Sequence, residues 1–199
     1  MADTALAGLP RLVRATEEVR MRGVAAVGIG VAAAGWWMLA WLLGQELSAL
    51  RSALALAGVG VPALLLAGLA SGRRLRAAAD PLPPPRPVVY ETLADGRERR
   101  TRLAGIVVFG VIILMMFDRL YGGAGEMAGL VAALFIPVGV VDLMEVRTWA
   151  RLERDRDGGD LYLLVRPHAL MPPMGAGEVY ERPRGDREAE RREPTPFDL

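Results

Sequence analysis

The chain has 199 residues and a formal net charge of +1; it is 52% hydrophobic, only 6% aromatic, and contains no cysteine and one histidine. Near-neutral charge removes the bulk electrostatic case for a nucleic-acid partner. Lack of cysteine excludes disulfides and thiolate metal sites. All 24 basic residues are arginine, so there is no Schiff-base lysine, Ser–Lys dyad or P-loop lysine. The single histidine, His168, cannot build a bis-histidine haem site or a multi-histidine zinc site and lies outside every apolar block. Neither cofactor nor metal is expected, and no catalytic motif is present.

The first 22 residues mix Arg11, Arg14, Arg20 and Arg22 with Glu17, Glu18 and scattered apolar side chains, a composition for a cytoplasmic lead-in or a short interfacial helix. Residues 23–43 follow without a charge. At 1.5 Å per residue this block spans ~31 Å, about the hydrocarbon thickness of a bilayer. Trp36, Trp37 and Trp41 crowd its second half, where an interfacial aromatic belt belongs. A short loop with Arg51 leads to span 2, residues 53–70, which holds Gly58, Gly60 and Pro62. Such residues are tolerated in a membrane helix when its neighbours satisfy the freed backbone groups.

The composition then breaks. Residues 80–87, DPLPPPRP, read as a polyproline II spacer. Residues 88–93 read as one short strand, Asp95–Gly96 as a turn signal, and Arg97, Arg99, Arg100 and Arg102 as a basic run. Span 3, residues 103–117, is ~22 Å long and must recruit 118–121 to cross. After a glycine-rich turn, span 4 covers 127–146 and contains Pro137 and Gly139. The tail has a strand-like LYLLV at 161–165 and becomes polar and disorder-prone from Pro183. It is too short and too polar to bury a core of its own.

These readings predict an all-α integral membrane protein of four transmembrane helices arranged as two antiparallel hairpins. Its segments are 1–22, hairpin 23–71, a Pro/Arg-rich linker 72–102, hairpin 103–146 and a charged tail 147–199. Orientation follows from the flanking arginines. Arg11, Arg14, Arg20, Arg22, Arg73, Arg74, Arg76, Arg97, Arg99, Arg100, Arg102, Arg147, Arg151, Arg154 and Arg156 fall on one side, Arg51 and Arg119 on the other. The positive-inside rule then puts both termini in the cytoplasm and the protein in the inner or plasma membrane. An internal duplication fits several echoes, including Val89–Tyr90–Glu91 against Val179–Tyr180–Glu181. Shared composition of two positive-inside hairpins also accounts for them.

Three groups of residues stand out. Gly23, Gly30 and Ala34, and Gly125, Gly129 and Ala133, have spacings that let helix backbones approach closely, within the chain or between copies. Asp142 and Glu145 share a helix face near the end of span 4, with Asp118 at the opposite rim. They suggest an ion or proton site, or acids paired with neighbouring arginines. Pro83, Pro84, Pro85, Arg86 and Pro87, with Phe197 and Leu199, offer contacts for a partner, the prolines serving equally as a plain linker. The expected function is a non-catalytic accessory or scaffolding subunit of a membrane complex. Its expected partners are the bilayer, other membrane subunits or a second copy. The alternative is a small oligomeric channel or transporter with acids at its mouths.

Overall fold

The computed structural model describes residues 11–43, 54, 56–84, 89–91, 93–120, 126–156, 160–165 and 178–182. Among them lie four long helices and four short strands. Strand β1 is Arg11–Arg14 and helix α1 is Ala15–Leu42. A π-helical turn, Leu56–Gly60, runs into helix α2, Val61–Ala79. Strand β2 is Val89–Tyr90, helix α3 is Leu93–Leu120 and helix α4 is Glu126–Asp155. Strands β3, Asp160–Val165, and β4, Val179–Arg182, complete the described chain. Each of the four, α2 taken together with its π-helical turn as Leu56–Ala79, contains an 18-residue stretch apolar enough to cross a membrane. The residues divide into two compact units: 19–72 with 92–146, and 1–18 with 73–91 and 147–199.

In the first unit α1 and α4 run antiparallel in close contact. A Cβ added to Gly23 would meet Leu143 and the Gly139 carbonyl; one on Gly30 would meet Ile136; one on Gly129 would meet Trp37. On α1 the contact stripe reads Gly23, Ala26, Gly30, Ala33, Trp37 and Ala40, in alternating three- and four-residue steps. That period keeps one face turned to a partner helix, and small residues let the backbones close up where lipid offers no hydrophobic drive. At the centre lie Ala33, Ala128 and Ala132, packed by Ala34, Trp36, Trp37, Leu114, Val131 and Ile136. Trp36 and Trp37 therefore serve this packing, while Trp41 is 61% exposed.

The π-helical turn before α2 meets α4 at one informative place. Pro137 lies inside α4 and has no N–H to give the carbonyl four residues back, that of Ala133. Gly60 sits against that same carbonyl, which lies 3.3 Å from where a Cβ would be. The bare glycine backbone thus covers the polar group that proline leaves open. Helix α3 is the peripheral member. None of its apolar window is buried, and Leu114 is its contribution to the packed centre. The Asp95–Gly96 turn expected from sequence is instead the first turn of α3. Arg100 Nε donates to the Gly96 carbonyl there at 3.1 Å.

The second unit corrects the all-α expectation. The strands form one sheet in the order β2-β1-β3-β4, with β1 parallel to β2 and antiparallel to β3, and β3 antiparallel to β4. Leu12 pairs with both Tyr90 and Leu164, and Tyr162 lies between Arg14 and Tyr180. Leu82 extends the far edge, donating its N–H to Val179 and accepting from Glu181. No one segment supplies the core. Leu12 and Val13 come from the start of the chain, and Leu161, Leu163, Val179 and Tyr180 from the tail, all at most 6% exposed. Within the charged lead-in Arg11–Arg14 is thus a strand and residues 15–22 open α1, and the tail buries apolar surface by joining that strand. Trp149, on the part of α4 in this unit, is the largest fully buried side chain.

Candidate functional site

Asp142 and Glu145 extend the packed stripe of α4 that begins at Ala128 and Ala132 and includes Gly139. They are 5% and 3% exposed, so this acidic pair faces inward. Gly23 packs on Leu143 and Gly139, which brings the neighbouring Arg22 to the same level of the helix unit. Arg22, Asp142 and Glu145 each engage in an interaction. Ser71, 9% exposed, is the other buried polar side chain described in this unit. Buried charges survive only when paired or hydrogen-bonded, and the inward face of α4 meets that condition. Among the described residues no group of three or more His, Cys, Asp or Glu is placed to hold a metal.

A second constellation lies in the sheet unit. Arg14 Nη2 reaches Glu153 Oε2 at 3.0 Å and Asp160 Oδ1 at 3.3 Å. The Glu153 hydrogen bond raises the Arg14 pKa above its ordinary value. Arg156 bridges Glu181 at 3.1 Å and donates to the Ala79 carbonyl at 2.6 Å. Tyr90 and Tyr162 meet edge to face at 5.1 Å, and the Arg182 guanidinium lies 4.1 Å above the Tyr90 ring. Burial pushes the Tyr162 phenol up, against the opposing pull of Arg182. Tyr180 donates to Glu178; burial first, then that carboxylate, pushes its pKa up to about 12.

The sequence-derived candidates are distributed as follows. Gly23, Gly30 and Gly129 lie at the α1–α4 contact, Ala34 beside its alanine centre, and Ala133 against Gly60. Asp118 lies within α3. Pro83 is exposed and Pro84 half-buried, beside the Leu82 bridge. Gly125, Pro85, Arg86, Pro87, His168, Phe197 and Leu199 lie outside the described residues. Gly60 and Gly139 also line helix contacts that residue spacing did not single out; the carbonyl freed by Pro137 was a signal for Gly60, while Gly139 packs on Val27 and the Gly23 carbonyl. Residue spacing also overlooked the Arg14–Glu153–Asp160 group, whose members are far apart in sequence and carry no local motif.

Comparison with protein-family models, with curated proteins and with solved structures returns no match. What the structure itself defines is a class: a largely helical chain with four candidate membrane helices, of the multi-pass type, accompanied by a small mixed sheet.

Proposed function

We propose that this is a non-catalytic, multi-pass membrane protein, an accessory or scaffolding subunit whose sheet unit sits on the cytoplasmic side and engages a partner. The observation that carries the reading is the composition of the sheet. Strands from before the first helix, between the second and third, and after the fourth are hydrogen-bonded into one ladder. A ladder of this kind needs its members on the same side of a bilayer, which suits four crossings and the arginine bias. Inward-turned, engaged Asp142 and Glu145 favour a structural role for the acids over one lining a water-filled mouth. Purification in mild detergent is expected to recover a stoichiometric membrane partner, and a solitary monomer would count against the proposal. The competing channel reading predicts proteoliposome flux that disappears in Asp142→Asn and Glu145→Gln.

A further inference from the structure

The sheet unit contains the same ladder twice. Leu12, ahead of α1 and α2, pairs in parallel with Tyr90 behind them, and the Glu91 N–H donates to the Leu12 carbonyl at 2.9 Å. Leu82, ahead of α3 and α4, pairs in parallel with Tyr180 behind them, and the Glu181 N–H donates to the Leu82 carbonyl at 3.1 Å. Each pair of helices is thus bracketed by a leucine and a Val-Tyr-Glu strand in one register, which matches α1 with α3 and α2 with α4. The helices carry the match further. Gly30 and Gly110 each lie eight residues beyond an Arg-x-Arg, and Ile136 and Val61 each directly precede the proline of their helix.

In α1 and α4 the matched face is filled: Gly30 packs on Ile136, and Gly23 on Leu143. On α3 and α2 it is presented again and left open. Ile106, Gly110 and Ile113 share one face of α3, in steps of four and three; Val61, Leu64 and Gly68 share one face of α2, in steps of three and four. Among the described residues nothing lies within 4 Å of a Cβ added to Gly110 or Gly68, and Ile106, Val61 and Leu64 are 57%, 53% and 47% exposed. Carried over position by position, Gly110 meets Val61 as Gly30 meets Ile136. Half-buried Leu103 meets Gly68 as Gly23 meets Leu143, with the large and small members exchanged, a swap that keeps the summed volume. Both faces are open in one chain, so the contact takes a second.

We propose that α3 of one copy packs antiparallel on α2 of a second through these faces, and α2 of the first on α3 of the second, forming a two-fold dimer. This rests on the membrane reading, and the test separates the two. The full chain is reconstituted in phosphatidylcholine vesicles and floated in alkaline carbonate; loss from the floating fraction overturns both. In vesicles that float, Gly110→Cys/Val61→Cys is oxidised, the chain having no cysteine of its own. It is expected to run as a disulfide-linked dimer on a non-reducing gel. Either single substitution, and Val108→Cys/Val61→Cys with the first thiol on another face of α3, is expected to stay monomeric. Self-association is then followed by energy transfer on dilution with lipid. Gly110→Leu is expected to weaken it about tenfold or more, and Gly105→Leu, equally open in the single chain but off this face, to leave it unchanged. The proposal is overturned by no dimer from the matched pair, the result if lipid covers both faces. A dimer from Gly110→Cys alone, an equal dimer from the shifted pair, or equal effects of the two leucines overturns it as well.

Discussion

At Gly139 two helix backbones touch. A Cβ there would lie 2.7 Å from the Val27 nitrogen and 2.8 Å from the Gly23 carbonyl. Backbone cannot move aside as a side-chain tip can, so Gly139→Ala must push α1 and α4 apart. Overpacking of this kind costs about 1–3 kcal/mol, and the thermal midpoint in detergent is expected to fall accordingly. Gly28 and Gly35 provide the control, since nothing lies within 4 Å of an added Cβ at either. There Ala should gain up to about 1 kcal/mol from helix propensity; an equal loss at all three positions would refute the packing assignment. The Tyr180 phenol gives a residue-scale test of the sheet unit. Its folded pKa is raised from 10 to about 12. Below pH 10 both states hold the proton and the full stability is present. Between 10 and 12 the unfolded chain releases it first, so stability falls as pH rises and levels off above. Tyrosinate absorbance at 295 nm should therefore show a late-titrating group that Tyr180→Phe removes. If Tyr180→Phe instead removed a phenol titrating at 10 in the folded chain, this assignment would be contradicted.

Among the elements, β1 depends most on what the rest of the chain brings to it. Four residues long, it pairs with β2 on one side and β3 on the other, and Arg14 ties it to α4 through Glu153. The two ends of that ion pair are unequal, the Arg14 side chain being 49% exposed and that of Glu153 only 8%. Removing Glu153 leaves a guanidinium that water can solvate. Removing Arg14 leaves a buried carboxylate without that partner. Arg14→Met is therefore expected to destabilise the unit by about 1–3 kcal/mol, more than Glu153→Gln, read from urea unfolding; the reverse order would place the dominant interaction elsewhere. The helices were legible in the sequence because each carries a long charge-poor block, span 3 being the shortest. Their ends were not, since α3 begins at Leu93 and takes in the whole basic run, where arginine is as good a helix former as leucine. The sheet was legible only in part. LYLLV and the residues around Val89 read as strands, whereas RLVR adjoins a helix and looks like its lead-in. Strands of two to six residues acquire stability from partners, and their partners here lie in other segments. The repeated Val-Tyr-Glu was the available signal: its first two residues begin β2 and β4, the two terminal strands of the sheet.

For the whole molecule the sheet turns topology into a parity condition. Strands β1 and β2 are bonded to each other and separated in sequence by two helices long enough to cross; β2 and β3 share the partner β1 and are separated by two more. Bonded strands lie in one aqueous compartment, because exposed backbone N–H and C=O groups are not left in hydrocarbon. The proposed membrane topology therefore requires an even number of crossings between β1 and β2 and again between β2 and β3. Two and two is the count the apolar lengths favour. The chain has no cysteine, so each introduced thiol is unique and reports one position. Arg11→Cys, Glu91→Cys and Glu178→Cys in sealed vesicles are expected to react together, all with or all without a membrane-impermeant maleimide. Ser48→Cys and Gly123→Cys, between the helices of each pair, are expected to show the opposite pattern. If the three sheet positions split, the ladder does not exist in the membrane. If all five agree, the helices do not cross it, and the arginine bias that orients them has another cause.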